Sequence, residues 1–285
     1  LYFNDDIKNI TNFKVFQNKK KTTFNSKINL SNLEFKIDDI SYYKKPNKNA
    51  ILEINGLKRN NEIIIKKINY IENKNKLEAN NLTIKNNKIS TIDSLKFKYK
   101  TKNDFRNHLS LIKKNKDYEL TGKSFDGEKL IENISNSNSN ENFFDIFNNL
   151  SSKVKIKIKH VRLDHNNEIN DLIGNLVLTN KKISNLDINS NFNENEKLSL
   201  IIKSKNDNST ITSFYSDRAK PFVKKYKFIK GFEEGNIIFN STKIDNISDS
   251  RLVIDNFKVK EVPVLAKLLT LASLQGIADL LTGEG

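Results

Sequence analysis

Three histidines, His108, His160 and His165, are the only imidazoles in the chain, and two of them stand five residues apart. In an extended strand an odd spacing puts side chains on opposite faces, so His160 and His165 do not share a metal or a proton. Asp164 beside His165 would supply an acid–base pair, but Asp164-His-Asn-Asn167 has the composition of a solvent-exposed hairpin turn. The chain has no cysteine, which removes thiolate nucleophiles, thiolate metal sites and disulfides, and fits a reducing or an oxidising compartment equally. It also has no phosphate-cradling glycine loop, nucleophile elbow or zinc-protease signature. The expectation is a protein that is not an enzyme and holds neither metal nor cofactor.

The other chemistry in reach is electrostatic. The formal charge is +15, and 49 basic residues less five arginines leaves 44 lysines. Together with abundant Asn and Ile, that skew has the look of an AT-rich genome. In Lys153-Val-Lys-Ile-Lys-Ile-Lys159 and Lys96-Phe-Lys-Tyr-Lys100, lysines alternate with apolar residues and so line one side of a strand. Such a row would track nucleic-acid phosphates or lipid head groups, or simply be the solvated face of a sheet that also discourages aggregation. No helix-turn-helix, zinc-finger spacing or RNA-binding aromatic motif accompanies it, so nucleic acid is not the expected partner.

The elements that carry these residues read as short strands of alternating polarity between Asn, Asp, Lys and Ser turns, the pattern of antiparallel sheet with one wet face. Expected strands include 51–54, 62–68, 82–85, 94–99, 108–113, 153–159, 171–178, 197–203, 210–215, 236–240 and 251–260. In the best patterned of them Val154, Ile156 and Ile158 share a face. Val161 and Leu163 fall out of phase, and a β-bulge at His160–Val161 would return them to it. Phe125-Asp-Gly-Glu-Lys-Leu-Ile-Glu-Asn-Ile134 suits a short helix with Asp126 near its N-cap. The organisation expected is a first strand group over 1–135, an Asn/Ser-rich tether and short helix over 136–150, a second strand group over 151–262, and a C-terminal amphipathic helix over 263–283. The chain has no Met and opens Leu1-Tyr-Phe3, and it is expected to be an excerpt of a longer protein.

The last thirty residues are the most distinctive. A strand through Ser250-Arg-Leu-Val-Ile-Asp-Asn-Phe-Lys-Val-Lys260 stops at Pro263, and Val264–Leu281 reads as an apolar helix closed by Gly283. At 1.5 Å per residue this helix is about 27 Å long, near the roughly 30 Å of a bilayer core. Lys267, Gln275 and Asp279 share one side, which favours an amphipathic helix packed on the sheet, with lipid contact as the other possibility. The order Asp255-Asn-Phe257, Val262-Pro263-Val-Leu265-Ala-Lys-Leu-Leu269, Ala272-Ser-Leu-Gln-Gly276 and Leu280-Leu-Thr-Gly283-Glu-Gly285 resembles the C-terminal region of the AsmA-like family of bacterial envelope proteins, in the branch that includes YhdP. The resemblance extends through Leu109–Leu120, Gly122, Asp126 and Leu130, and through Ser216-Asp217 and Gly231-Phe-Glu-Glu-Gly235, covering roughly residues 75 to 285. Asp217-Arg-Ala-Lys-Pro221 departs from the Asp-Ala-Gly usual in relatives.

The resemblance implies a mainly β fold, an elongated, curved antiparallel sheet whose apolar side forms a groove for acyl chains, with short helices and the terminal helix. It implies phospholipid as ligand, a role in lipid transport between inner and outer membranes, and a periplasmic location anchored to the inner membrane by a segment outside this chain. On that reading the groove-floor candidates are Val154, Ile156, Ile158, Val161, Leu163, Phe257 and Val259. Leu265, Leu268, Leu269, Ala272, Ile277 and Leu280 are the candidates for helix packing or lipid contact. The same apolar residues would equally be the core of a closed sandwich. Alternative functions are a scaffold for outer-membrane protein assembly, with envelope proteins as partners, and a basic nucleic-acid-binding domain.

Overall fold

Ile, Val and Leu at every second position between lysine- and asparagine-rich turns favour extended backbone, because branched side chains pack on a pleated surface while the polar positions stay in water. The computed structural model follows this pattern and describes residues 11–18, 21–129, 152–179, 182–205, 209–223, 232–245 and 247–259. Its strands are β1 (Thr11–Asn18), β2 (Lys21–Asn29), β3 (Phe35–Ile37), β4 (Tyr42–Lys44), β5 (Ala50–Arg59), β6 (Glu62–Glu72), β7 (Asn75–Lys85), β8 (Lys88–Thr91) and β9 (Ser94–Lys100). They continue as β10 (Arg106–Lys114), β11 (Asp117–Asp126), β12 (Lys153–Asp164), β13 (Asn167–Thr179), β14 (Lys182–Asn191), β15 (Lys197–Ser204), β16 (Ser209–Ser216), β17 (Phe232–Ile244) and β18 (Ile247–Val259).

Sixteen of these form one sheet in the order β1-β2-β5-β6-β7-β9-β10-β11-β12-β13-β14-β15-β16-β17-β18, with β8 paired to the far end of β7. Among the described residues the path does not close on itself, and β1 and β18 stand at its two ends. Its fifteen strand positions at about 4.8 Å each give a contour of roughly 65 Å. Neighbours pair antiparallel, except that β11 and β12 run parallel, with Tyr118 opposite Val154 and Asp126 opposite Arg162. The two strand groups read from the sequence therefore belong to one sheet. A parallel pair needs a crossover of a dozen residues or more. The tether read at 136–150 falls between these two strands and outside the described residues, as does the terminal helix.

Turn chemistry explains much of the asparagine content. Eight of the thirteen described non-glycine residues with positive φ are Asn, among them Asn86 (φ 50°) and Asn87 (φ 60°) at the two-residue β7–β8 turn. A type I′ hairpin needs φ above zero at both central positions, and Asn tolerates that region through local hydrogen bonding of its side chain.

Near one end of the strands, the excursion from Leu30 to Asn49 carries the separate β3–β4 hairpin and a 3₁₀ turn (Asp38–Ile40) over the ends of β5 to β9. Leu30, Leu33, Tyr42, Ala50, Tyr70 and Tyr99 make a buried cluster there. The rings of Tyr42 and Tyr99 meet edge to face at 5.6 Å, and those of Phe35 and Tyr70 at 6.0 Å. The polar atoms brought in are satisfied. Tyr42 Oη donates to Glu72 Oε2 at 2.6 Å, and Tyr99 Oη donates to the Ile40 carbonyl at 2.9 Å. The fully buried Lys44 gives its ammonium to the carbonyls of Ser31, Leu33 and Lys45 at 2.8–2.9 Å. Burial lowers the Lys44 pKa, opposed by the nearby Glu72 carboxylate.

Burial raises the Tyr42 phenol far above its ordinary range, helped by its bonds to Glu72 and Tyr70, and pushes Tyr70 up to about 12. An unfolded tyrosine releases its proton near pH 10. The stability contributed by neutral Tyr70 is thus complete below pH 10 and lost as pH rises toward about 12. Urea unfolding between pH 9 and 12 is expected to show a falling midpoint that becomes shallower in Tyr70→Phe; an equally steep fall in that variant would contradict this assignment.

Candidate functional site

The register places apolar side chains opposite one another from strand to strand. Across β5 to β11 the partners are Ile54, Ile68, Ala79, Leu95, Leu111 and Leu120, each paired with the next. Across β12 to β18 the same row continues through Ile156, Gly174, Ile188, Leu200, Phe214, Phe239 and Leu252. One position along, on the opposite face, the corresponding row reads Asn55, Lys67, Asn80 and Ser94, then Glu119, Lys155, Asn175 and Asp187, then Ser213, Asn240 and Arg251. Ile112 and Ile201 are its apolar members. One row on one face is thus apolar, and the adjacent row on the other face mostly polar, over thirteen successive strands. Because side chains alternate with period 2, the even register is what keeps the apolar row whole.

The described strands form this one sheet, apart from β3 and β4, which make a separate two-stranded sheet. The members of the row are half-buried, apart from the buried Ala79. Ile68, Leu95 and Leu111 pack with buried Ala79 against Leu82, Ile92 and Tyr118, and Leu120, Ile156 and Phe214 against the cluster of Ile158, Val161 and Leu163. Two glycines lie in apolar rows where neighbours crowd in. A Cβ on Gly122 would stand 2.6 Å from Leu109 Cδ2, and one on Gly174 would stand 2.8 Å from the Asp187 carbonyl oxygen. Glycine inside a strand marks such close approach.

The end of the strands near Ala50 and Asp126 carries two caps, and at the other end Leu82, Ile92 and Tyr118 are buried with Ala79 against β6 to β12. The β3–β4 excursion sits over β5–β9, and the helical turn Lys220–Val223 covers β15–β18 through Ala219, Val223, Phe232 and Ile237, with the Phe214 and Phe222 rings at 4.7 Å. Between these two caps Arg162 and Asp126, opposite one another on β12 and β11, form a buried ion pair, their side chains 7% and 2% exposed. Asp126 also takes up the position read as a helix cap. Its carboxylate accepts the Glu128 N–H at 3.3 Å, and its own N–H donates to the buried Asn107 Oδ1 at 2.6 Å. The Arg162 guanidinium lies 4.7 Å from the Phe105 ring centre. The pair ties the parallel strands together at their covered ends.

The residues read as groove floor divide between these two environments. Val154 and Ile156 are half-buried on the apolar face. Ile158, Val161 and Leu163 are 5–6% exposed, in one cluster with Ile169, Phe192 and Leu198 at the covered end. Val161 and Leu163 do rejoin the apolar side, but the pairing with β13 runs unbroken through His160 and Val161. The register shift falls between Arg162 and Asp164, and left-handed Asp171 (φ 50°) lies between the partners of Ile158 and His160. The change of phase falls across Lys159 and His160, both exposed between buried Ile158 and Val161, beside the position read for the bulge and opposite Asp171. Phe257 is 39% exposed and stacked on Phe232 at 5.2 Å, six strands from β12, so it is not brought beside the β12 residues. Val259 ends β18 opposite Phe232. Leu265, Leu268, Leu269, Ala272, Ile277 and Leu280 lie outside the described residues.

The titratable candidates are apart from one another. His165 is in the exposed β12–β13 turn, His160 Nδ1 pairs with Asn170 Oδ1 at 2.7 Å, and His108 is on β10. Burial, then Lys123 and Lys98, lowers the His108 pKa. No group of three His, Asp or Glu positioned for a metal occurs among the described residues, and none of their helices is long and apolar enough to cross a membrane. A shallow cleft of about 270 Å³ lies on the polar face between Ile51 and Ile71, where Lys27 and Glu53 pair at 3.0 Å. The sequence reading expected a joined apolar side but did not name most members of the row, such as Leu111, Ile188 and Leu200, since they line up only when register joins alternating strands. Comparison with protein-family models, with curated proteins and with solved structures finds no match to this chain.

Removing one partner of a buried ion pair leaves an uncompensated charge, at a cost of about 3–5 kcal/mol. Arg162→Met is expected to lower the urea-unfolding free energy by that order, and Asp126→Asn combined with it to recover a large part. A loss below about 1 kcal/mol would show that the pair does not hold β11 to β12.

Proposed function

We propose that this chain supplies part of an open apolar trough that holds and passes phospholipid acyl chains, in the manner of the AsmA-like envelope proteins that its sequence resembles. One observation carries the reading: thirteen strands present an unbroken apolar row whose members, apart from Ala79, stay half-buried. A one-sided apolar surface of this length needs an apolar occupant or cover, because exposed apolar area costs about 25 cal/mol per Å². Gly122 and Gly174, where a side chain would collide with neighbours, support a sheet bent toward this face. The polar face with its lysines and asparagines meets water. Acyl chains slide along the row while head groups remain solvated, and no bond is made or broken.

On this reading the central row, which includes Ile156, is the floor, with Val154 beside it. Ile158, Val161 and Leu163 are the packed wall at the covered end. Phospholipid is the ligand, and the place of action is the periplasm between inner and outer membranes, with attachment to the inner membrane through a segment outside this chain. The competing scaffold function would put a polypeptide on the same face.

A photoreactive side chain at Leu200 or Ile188 in protein expressed in a bacterial envelope distinguishes the two. Phospholipid adducts in the mass spectrum are expected at both positions, and Ile156→Asp is expected to reduce them several-fold in protein that keeps its β circular dichroism. Adducts to polypeptide alone would sink the lipid reading.

A further inference from the structure

The two ends of the strands differ in charge. At the covered end several cations have acidic partners: Lys100 pairs with Asp104 at 2.8 Å, Lys258 with Glu234 at 2.6 Å and Arg218 with Glu196 at 2.5 Å. At the other end the hairpin turns are basic. Arg59 and Lys88 mark the turns after β5 and before β8, Lys114 and Lys116 flank the β10–β11 turn, and Lys205 follows β15, all of them exposed. Among the described residues this end holds one ion pair, Lys85 with Glu62 at 2.5 Å.

Three further lysines at this end stand on the apolar face itself. Lys58, Lys113 and Lys243 share strand parity with Ile54, Leu111 and Phe239, and lie four, two and four residues beyond them. At about 3.3 Å per residue their backbones are roughly 7 to 13 Å from the central apolar row. A lysine in such a place lays its methylenes on apolar surface and carries its ammonium outward. The arrangement has the layout of an amphiphile: apolar rows along the middle, several ion pairs at one end, and an excess of cations with one ion pair among the described residues at the other.

Resting on the trough reading, we propose that this basic strand end binds the phosphates of anionic phospholipid head groups whose chains lie on the apolar rows. The surface then selects anionic over zwitterionic lipids and orients them with their heads toward Lys58, Lys113 and Lys243. Acidic lipid is attracted to each such cation, and the attraction falls with salt.

The test is equilibrium binding of tail-labelled phosphatidylglycerol and phosphatidylcholine monomers to the full chain and to the combined variant Lys58→Gln, Lys113→Gln, Lys243→Gln, with circular dichroism confirming the fold. The wild-type chain is expected to prefer phosphatidylglycerol by about tenfold at low salt. The variant is expected to lose most of that preference while binding phosphatidylcholine as before. Equal affinity for the two lipids, or a preference unchanged in the variant, overturns the head-group inference and leaves the trough standing. Binding of neither lipid overturns the trough and the inference with it. Displacement of phosphatidylglycerol by glycerol phosphate as readily as by unlabelled lipid would show a site for free phosphate and would also overturn the proposal.

Discussion

Everything in this molecule depends on register. A period-2 pattern sorts side chains to two faces within one strand, but only even pairing between neighbours joins those faces across a sheet. From Ile54 on β5 to Leu252 on β18 the partners match apolar to apolar without a break, and the next row over matches polar to polar almost throughout. A slip of one residue at any ladder would throw Ile and Leu into water and lysine onto the apolar side. Left-handed asparagines hold the turns that set this register, and the parallel β11–β12 ladder is fixed at its end by Asp126 and Arg162. That ladder is where the order of strands is least determined by local turns, since its partners are not joined by a hairpin.

The second constraint is where cover is placed. The β3–β4 excursion and the Lys220–Val223 turn rest on the same end of the strands, and both bury their contacts with satisfied polar groups, as at Lys44 and Glu72. Over β6 to β12 a further cluster of Ala79, Leu82, Ile92 and Tyr118 is buried on the same face, while the row members Ile188 and Leu200 stay half-buried. Hence one chemical surface, built from one kind of strand, behaves as core where these clusters pack and as half-open floor at Ile188 and Leu200. The charge distribution also differs along the strands, with several ion pairs at the capped end and a basic excess at the other.

Much of this was legible in the residues. Strict alternation in Lys153–Lys159 announced both the strand and its faces, and the phase change after His160 announced that Val161 and Leu163 return to the apolar side. Alternation reports a face, however, and not what lies over it, so Ile156 and Ile158 read alike although one is half-buried and the other packed. The change of phase falls beside the position read for it, opposite a left-handed Asp171 on the partner strand that is invisible from β12 alone. The β3–β4 cap was missed because its strands are three residues each, too short to show a period. The parallel join was missed because a polar stretch signals a connection and not its direction. The terminal residues 263–283, the most distinctive in the sequence, lie outside the described residues.

The central claim is that the apolar row is open to a ligand along its length. Because the chain has no cysteine, single cysteines can be placed at Leu111, Ile188 and Leu200, with Ile169 as a buried reference, and their reaction with a water-soluble maleimide timed in the folded protein. The account predicts that the three row positions react far faster than position 169 and that each is protected by added phospholipid. Row cysteines as inert as the one at 169, with or without lipid, would mean that the face is sealed and the trough does not exist.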